Sequence, residues 1–134
     1  MNSVQPDPPL AIKLNPGFVL AYYGRGNAYK GKGEYDRAIA GADKVIEINP
    51  NDPNAYTNRG SAYEEKGDVD RAIADYTKAI EIDPNFHSYY KRGKAYHEKG
   101  EVDRAIADYT KAIALSHHGH DDAEESLRRL GVTP

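Results

Sequence analysis

Two short segments of the chain contain residue types that bind metal ions or phosphate in other proteins. The segment 117–122 holds three histidines and two aspartates, and imidazole and carboxylate groups are transition-metal ligands. The segment 26–32 has the glycines and the lysine of a phosphate-binding loop, but Gly33 stands where such a loop needs Ser or Thr to hold magnesium. We interpret the second segment as helical. We interpret the first as a polar connector, with metal binding by His117, His118 and His120 left open.

The composition favours neither catalysis nor nucleic-acid binding. The 134 residues include 18 Lys and Arg against 21 Asp and Glu, a net charge of −3, whereas nucleic-acid binders carry a basic excess. There is no cysteine, which excludes disulfides and thiolate metal sites. No Ser/His/Asp constellation presents itself. We therefore predict no enzymatic activity, no cofactor and no nucleic-acid partner.

The N-terminal residues have neither the basic segment nor the long apolar segment of a signal peptide. The apolar stretch at 18–23 is too short to cross a bilayer. A cytoplasmic location without a membrane partner is the expectation that follows.

The most informative feature is an internal repeat. VDRAIADYTKAI occupies residues 69–80 and recurs identically at 102–113, while the related YDRAIAGADKVI occupies 35–46. Proline recurs every 34 residues, at Pro16, Pro50 and Pro84. A fixed period of this length is typical of stacked helical repeats, each of which is too small to bury its own apolar face.

Each repeat is predicted to contain two helices. The second helix of the middle repeat has an apolar stripe at helical spacing, formed by Val69, Ala72, Ile73, Tyr76, Ala79 and Ile80. We expect the opposite side to face solvent; it carries Asp70, Arg71, Asp75 and Lys78. The first helix is predicted to begin at Asp52-Pro53 and to end at Gly67. Its Gly60 is expected to face Ala72, with the same pairing for Gly26/Ala38 and Gly93/Ala105.

The predicted architecture is an all-α solenoid of three helix-turn-helix units. The units span 17–50, 51–84 and 85–117, after an N-terminal tail (1–16) that carries the remnant of a preceding second helix. Residues 118–134 are a linker and a capping helix, predicted over Asp121–Leu130 with Ala123, Leu127 and Leu130 on its apolar side.

The repeats resemble the tetratricopeptide repeat (TPR) family. The middle unit carries the whole family pattern: Tyr56, Gly60, Tyr63, Ala72, Tyr76, Ala79 and Pro84. The third unit departs from it at His117, and the first at Ala42 and Val45. The resemblance implies a right-handed superhelix whose concave groove, lined by first helices, binds a peptide segment of a partner protein, so that the chain acts as a scaffold or adaptor.

Helical geometry predicts which residues line that groove, because a stripe rotated away from Tyr56, Gly60 and Tyr63 is left unpacked. Tyr23 and Tyr90 occupy equivalent groove positions, and exposed tyrosines contribute large contact areas at protein interfaces. The alternative interpretation is that they are ordinary surface tyrosines. The candidate partner-binding residues are Leu20, Tyr23, Asn27, Lys30, Asn54, Asn58, Ser61, His87, Tyr90, Lys91 and Lys94.

Part of this set resembles the family's carboxylate clamp, which grips the acidic C-terminal tail of heat-shock chaperones. Asn27 and Asn58 match the clamp, and Lys91 stands where the family has Arg. Tyr23 and His87 occupy its two lysine positions, so the clamp is incomplete.

A structural role is the rival hypothesis. The N-terminal half-unit carries Leu10, Ile12 and Leu14 without a partner helix, and solenoid ends can stack on one another. The chain is thus expected to be a monomer or a weak homo-oligomer.

Overall fold

The described part of the chain is a linear array of helices. The computed structural model describes residues 34–117 and 121–134. Its helices are α1 (Tyr35–Ile48), α2 (Pro53–Lys66), α3 (Val69–Ile82), α4 (Phe86–Lys99), α5 (Val102–Leu115) and α6 (Asp121–Arg129). Each helix packs against the next one in the chain. This is an α-solenoid of helix-turn-helix repeats, as the repeat pattern predicted.

The first helices begin and end where their capping residues predicted. Asp52 caps α2 by accepting a hydrogen bond of 3.0 Å from the amide of Asn54, and Pro53 is the first helical residue. Gly67 ends the same helix in the left-handed conformation, with φ of 97°. The chain then reverses at once, because the Asp68 amide donates back to the carbonyl of Tyr63 at 2.8 Å. Gly100 ends α4 in the same way.

Small side chains allow the helices to approach closely. Ala55, Ala62, Ala72, Ala95 and Ala105 are completely buried. Such contacts give dense packing without large side chains, which suits helices of only 14 residues. The large side chains that fill the remaining space are tyrosines.

Gly60 was expected to face Ala72, and the structure shows a different main neighbour. A methyl group placed on Gly60 would lie 2.7 Å from the Tyr76 ring, nearer than the Ala72 carbonyl oxygen at 3.2 Å. Gly93 faces the ring of Tyr109 in the same way. The glycines thus make room for the tyrosine of the following helix. Gly26 lies outside the described residues.

The C-terminal helix covers the end of the array. The structure places α6 over Asp121–Arg129, one residue shorter than predicted. Ala123 and Leu127 are buried in one cluster with Tyr109, and Leu130 packs against it. The apolar side of the helix was therefore predicted correctly.

Candidate functional site

A cleft lies between α2 and α4, the first helices of two consecutive repeats. Its volume is about 270 Å³. The residues that line it are all of polar or charged types: Ser61, Glu64, Glu65, Lys91, Lys94 and Glu98. Two ammonium groups and three carboxyl groups therefore meet in one small opening.

A hydrogen bond across the cleft joins the two helices. The ammonium of Lys91 on α4 donates to the hydroxyl of Ser61 on α2 at 2.9 Å. Ser61 is buried, and its oxygen also lies 3.3 Å from the hydroxyl of Tyr76. Ser61 thus lies at the bottom of the cleft. Lys91 is half-buried at its side, where the hydrogen bond to Ser61 holds its ammonium group.

A hydrogen bond from the buried side chain of Tyr76 holds the carboxyl group of Glu64 in place. The Tyr76 side chain is completely buried, and its hydroxyl donates to Oε1 of Glu64 at 2.8 Å. Burial raises the pKa of Tyr76 far above its ordinary value, so the phenol keeps its proton at physiological pH. Glu64 is consequently held in place by a neutral donor.

Glu64 and Glu98, from consecutive repeats, both line the cleft. The neighbouring Glu64 carboxyl, with a smaller contribution from burial, raises the pKa of Glu98 from its ordinary value to about 7. The positive charge of Lys94 acts in the opposite direction and is the weaker influence. The Glu98 carboxyl is therefore harder to ionise than an isolated glutamate.

Aromatic contacts hold Tyr90 and Lys94 of α4 in place. The Tyr90 ring lies 5.8 Å from the ring of Tyr109, centroid to centroid, and the Lys94 ammonium lies 5.6 Å from the Tyr90 centroid. Tyr90 is half-buried and packs at the edge of the core cluster. It therefore combines a packing role with a partly exposed face.

Beneath the groove, two arginines tie each first helix to its neighbours. Arg59 makes a bidentate pair with Asp75 at 2.8 and 2.7 Å, and also reaches Asp43 of the preceding repeat at 2.9 Å. Arg92 pairs with Asp108 at 2.8 Å through two nitrogens, and donates to Thr77 at 3.2 Å.

The prediction that Asp75 faces solvent was therefore wrong. Only 5% of this residue is exposed. An isolated helix places Asp75 opposite the apolar stripe, but Arg59 from the neighbouring helix neutralises it and brings it into the interior.

Of the predicted binding set, the cleft brings together Ser61, Lys91 and Lys94. Asn54, His87 and Lys94 are exposed, Asn58, Tyr90 and Lys91 are half-buried, and Ser61 is buried. Leu20, Tyr23, Asn27 and Lys30 lie outside the described residues.

Glu98 belongs to the cleft but was absent from the predicted set. The sequence contained a signal for it, because Glu98 lies four residues after Lys94 and continues the same helical stripe. What no spacing reveals is that it shares the cleft with Glu64 of the preceding repeat.

Residues 34–117 and 121–134 contain no group of three His, Cys, Asp or Glu side chains arranged to hold a metal ion. His118 and His120 lie outside these ranges. Within the same ranges, no helix has the length and apolar character needed to cross a membrane.

The geometry defines a class of protein, a short helical-repeat array with an open polar cleft between first helices. Tetratricopeptide repeat models match residues 53–86, 88–118 and 10–40, and a further TPR repeat model matches 26–67. The chain belongs to the tetratricopeptide repeat family.

Solved structures share this arrangement. The chain is 28% identical to the first TPR of Spaghetti (RPAP3) bound to the HSP90 peptide SRMEEVD, with a TM-score of 0.78, 84% of this chain and 90% of that chain covered. The second TPR domain of human RPAP3, in complex with the HSP70 peptide SGPTIEEVD, is 25% identical, with a TM-score of 0.77, 84% of this chain and 94% of that chain covered. MamA is 27% identical, with a TM-score of 0.76 and coverage of 93% and 75%. No curated protein sequence matched the chain.

Proposed function

We propose that the chain is a peptide-binding interaction module that acts as a scaffold or adaptor, not as an enzyme. A segment of a partner protein lies in the groove along the first helices. The residues that contact it are Leu20, Tyr23, Asn27, Lys30, Asn54, Asn58, Ser61, His87, Tyr90, Lys91 and Lys94. Nucleic acid and membrane are not partners in this proposal, and the cytoplasmic location stays a prediction.

The observation that carries the proposal is the cleft between α2 and α4. It is open to solvent and presents charged groups at fixed positions, because Lys91 is bonded to Ser61 and Glu64 to Tyr76. Fixed polar groups lower the entropy cost of binding an extended peptide. Family membership and the peptide-bound relatives support the same interpretation.

The bound peptides of the relatives suggest a first ligand class, acidic C-terminal tails. SRMEEVD and SGPTIEEVD both end in Glu-Glu-Val-Asp. Lys91 and Lys94 supply positive charge for such a tail, and the amide of Asn58 supplies a hydrogen-bond donor. Lysine lacks the bidentate geometry of arginine, so we expect weaker binding than a complete clamp gives.

The test is selection from a random peptide library displayed with free C-termini, followed by fluorescence anisotropy on the enriched peptides and on SRMEEVD and SGPTIEEVD. Lys94→Glu should weaken binding at least about tenfold, because an exposed cation in the groove is replaced by an anion. The double variant Tyr90→Ala with Lys91→Glu should abolish it. Lys111→Glu, an exposed lysine on α5, is the matched control.

Helicity measured by circular dichroism must be the same for all variants. Equal enrichment on the wild-type chain and on Lys94→Glu would place the binding site elsewhere. No enrichment on the wild-type chain, together with a mass that rises with concentration in light scattering, would favour the self-association hypothesis. That hypothesis concerns Leu10, Ile12 and Leu14, which lie outside the described residues.

A further inference from the structure

The glutamates that line the cleft differ from the other glutamates of the chain in their ion pairing. The chain has nine glutamates, and six of them lie within 4.0 Å of an arginine or lysine. These six are Glu34, Glu47, Glu81, Glu101, Glu124 and Glu125. Within residues 34–117 and 121–134, no arginine or lysine forms such a pair with Glu64, Glu65 or Glu98. The glutamates without an ion pair in this part of the chain are therefore gathered at one site, the cleft.

The spacing along each helix accounts for part of this difference. Each of the six paired glutamates has its arginine or lysine three or four residues away, where helical side chains meet. Glu64 and Glu65 have no basic residue at these distances along the chain. Glu98 has Lys94 one turn earlier, but the Lys94 ammonium lies over the Tyr90 ring, 5.6 Å from its centroid. The carboxyl groups of the cleft are thus open to a cation from another molecule.

The cleft holds groups of both signs at fixed positions. Lys91 is bonded to Ser61 at 2.9 Å, and Glu64 accepts from the Tyr76 hydroxyl at 2.8 Å. The neighbouring Glu64 carboxyl also raises the pKa of Glu98, which is the effect of negative charge without a compensating cation. A purely acidic segment would be attracted by the two lysines and repelled by the three glutamates. A segment that carries both signs of charge matches the cleft better.

We propose that Glu64, Glu65 and Glu98 bind a basic side chain of the partner peptide, beside the acidic group that Lys91 and Lys94 bind. We call these three glutamates the basic-residue subsite. This inference rests on the proposed function, because it assigns a ligand class to the same cleft. The partner segment is therefore dipolar: it carries an arginine or lysine close to an acidic residue.

The spacing of the charges sets the spacing expected in the peptide. Lys94 and Glu98 are four residues apart on α4, which is about 6 Å along the helix axis. In an extended peptide, residues two positions apart point to the same side and are about 7 Å apart. A basic residue two positions from an acidic one therefore fits. SRMEEVD has an arginine two positions before its first glutamate, whereas SGPTIEEVD has no basic residue.

The first experiment compares SRMEEVD with SAMEEVD and SEMEEVD by fluorescence anisotropy, at pH 8 and low ionic strength. At this pH the carboxyl group of Glu98 is ionised, because its pKa is about 7. We expect SRMEEVD to bind about three- to fivefold more tightly than SAMEEVD, the size of effect typical of one partly exposed ion pair. SEMEEVD should bind more weakly than both.

The Glu65→Gln, Glu98→Gln double variant tests whether the cleft is the origin of this preference. It removes two charges without changing the size of the side chains, and it leaves the Tyr76–Glu64 hydrogen bond intact. The ratio between SRMEEVD and SAMEEVD should fall to near one. The matched control is Glu47→Gln with Glu81→Gln, which removes two exposed glutamates from the second helices α1 and α3 and should keep the wild-type ratio.

The second experiment does not depend on an acidic tail. N-acetyl-arginine amide is titrated into the full chain while the carboxyl carbons of all nine glutamates are followed by NMR. We expect saturable shifts at Glu64, Glu65 and Glu98 that exceed those of the six ion-paired glutamates. Equal shifts at all nine would show that the cleft has no preference for a basic group.

The outcomes separate the failure of the subsite from the failure of the proposed function. If SRMEEVD binds, the peptide series decides: equal affinity for SAMEEVD, or a preference that persists in Glu65→Gln, Glu98→Gln, disproves the basic-residue subsite and leaves the binding module in place. If none of the three peptides binds, the acidic-tail ligand class is wrong, and the arginine titration decides whether the cleft takes a basic group.

Discussion

The second helices of consecutive repeats differ in how they hold the first helices. In α3 and α5, an aspartate and a tyrosine enter the interior at Asp75–Tyr76 and Asp108–Tyr109. The equivalent positions of α1 are Gly41 and Ala42. A bidentate ion pair and an aromatic ring therefore lock the later repeats, whereas α1 presents only small side chains there.

The difference teaches how an array of short helices gains rigidity. Arg59 of α2 and Arg92 of α4 each hydrogen-bond to their own repeat and to the preceding one, where α1 contributes Asp43 and α3 contributes Thr77. The tyrosine fills the space that the glycine of the first helix leaves open. Tyr76 also donates a hydrogen bond to Glu64, which lines the cleft. The cleft therefore lies between the two repeats that have these contacts.

The largest effect is expected from breaking a buried ion pair. Arg92→Ala leaves Asp108 buried without its counter-charge, and removing one member of such a pair costs about 3–5 kcal/mol. The measurement is urea denaturation followed by circular dichroism. Arg104→Ala is the control, because its 3.3 Å pair with Glu101 is exposed and contributes below about 1 kcal/mol. Equal losses in the two variants would contradict the distinction between buried and surface pairs.

A smaller loss is expected from filling the space under a tyrosine ring. Gly60→Ala places a methyl group 2.7 Å from Tyr76, and overpacking of this kind costs about 1–3 kcal/mol. The same denaturation experiment in a Tyr76→Ala background provides the control, since the clash is then absent. If Gly60→Ala costs as much in that background as in the wild type, the ring is not the cause.

The smallest effect, a gain in stability, is expected from a substitution in α1. A methyl group on Gly41 meets no atom of the described residues within 4 Å, and its φ is not in the left-handed region. Gly41→Ala should therefore raise the unfolding free energy by about 0.5–1 kcal/mol, because alanine loses less backbone entropy in a helix. A loss of stability would show that this glycine, like Gly60, accommodates a neighbour.

Local features of the sequence predicted the elements well. The capping residues Asp52 and Gly67 fixed both ends of α2, and the apolar stripe with Tyr76 and Ala79 identified the buried side of α3. These signals work because they act within one turn or one face of a single helix. The family and the fold class were also predicted, because these local signals recur at a fixed period along the chain.

The site was predicted less completely, because its geometry depends on side chains of different repeats. Ser61 was expected on an open surface, but Lys91 and Tyr76 enclose it. The stripe through Lys94 pointed to Glu98, but not to the fact that it shares the cleft with Glu64, more than thirty positions earlier in the chain. Pairing between repeats leaves no trace in the spacing within one helix.

The sequence alone determined the period and the boundaries of a helix such as α2, since hydrophobic spacing and capping are local properties of the chain. Only the tertiary structure decided which polar groups are buried and which carboxyl groups meet. Burial of Asp75 requires Arg59 from another helix, and the raised pKa of Glu98 requires a second carboxyl from another repeat. The energy of a charge depends on the neighbours that replace water around it, and those neighbours are supplied by the stacking of the repeats.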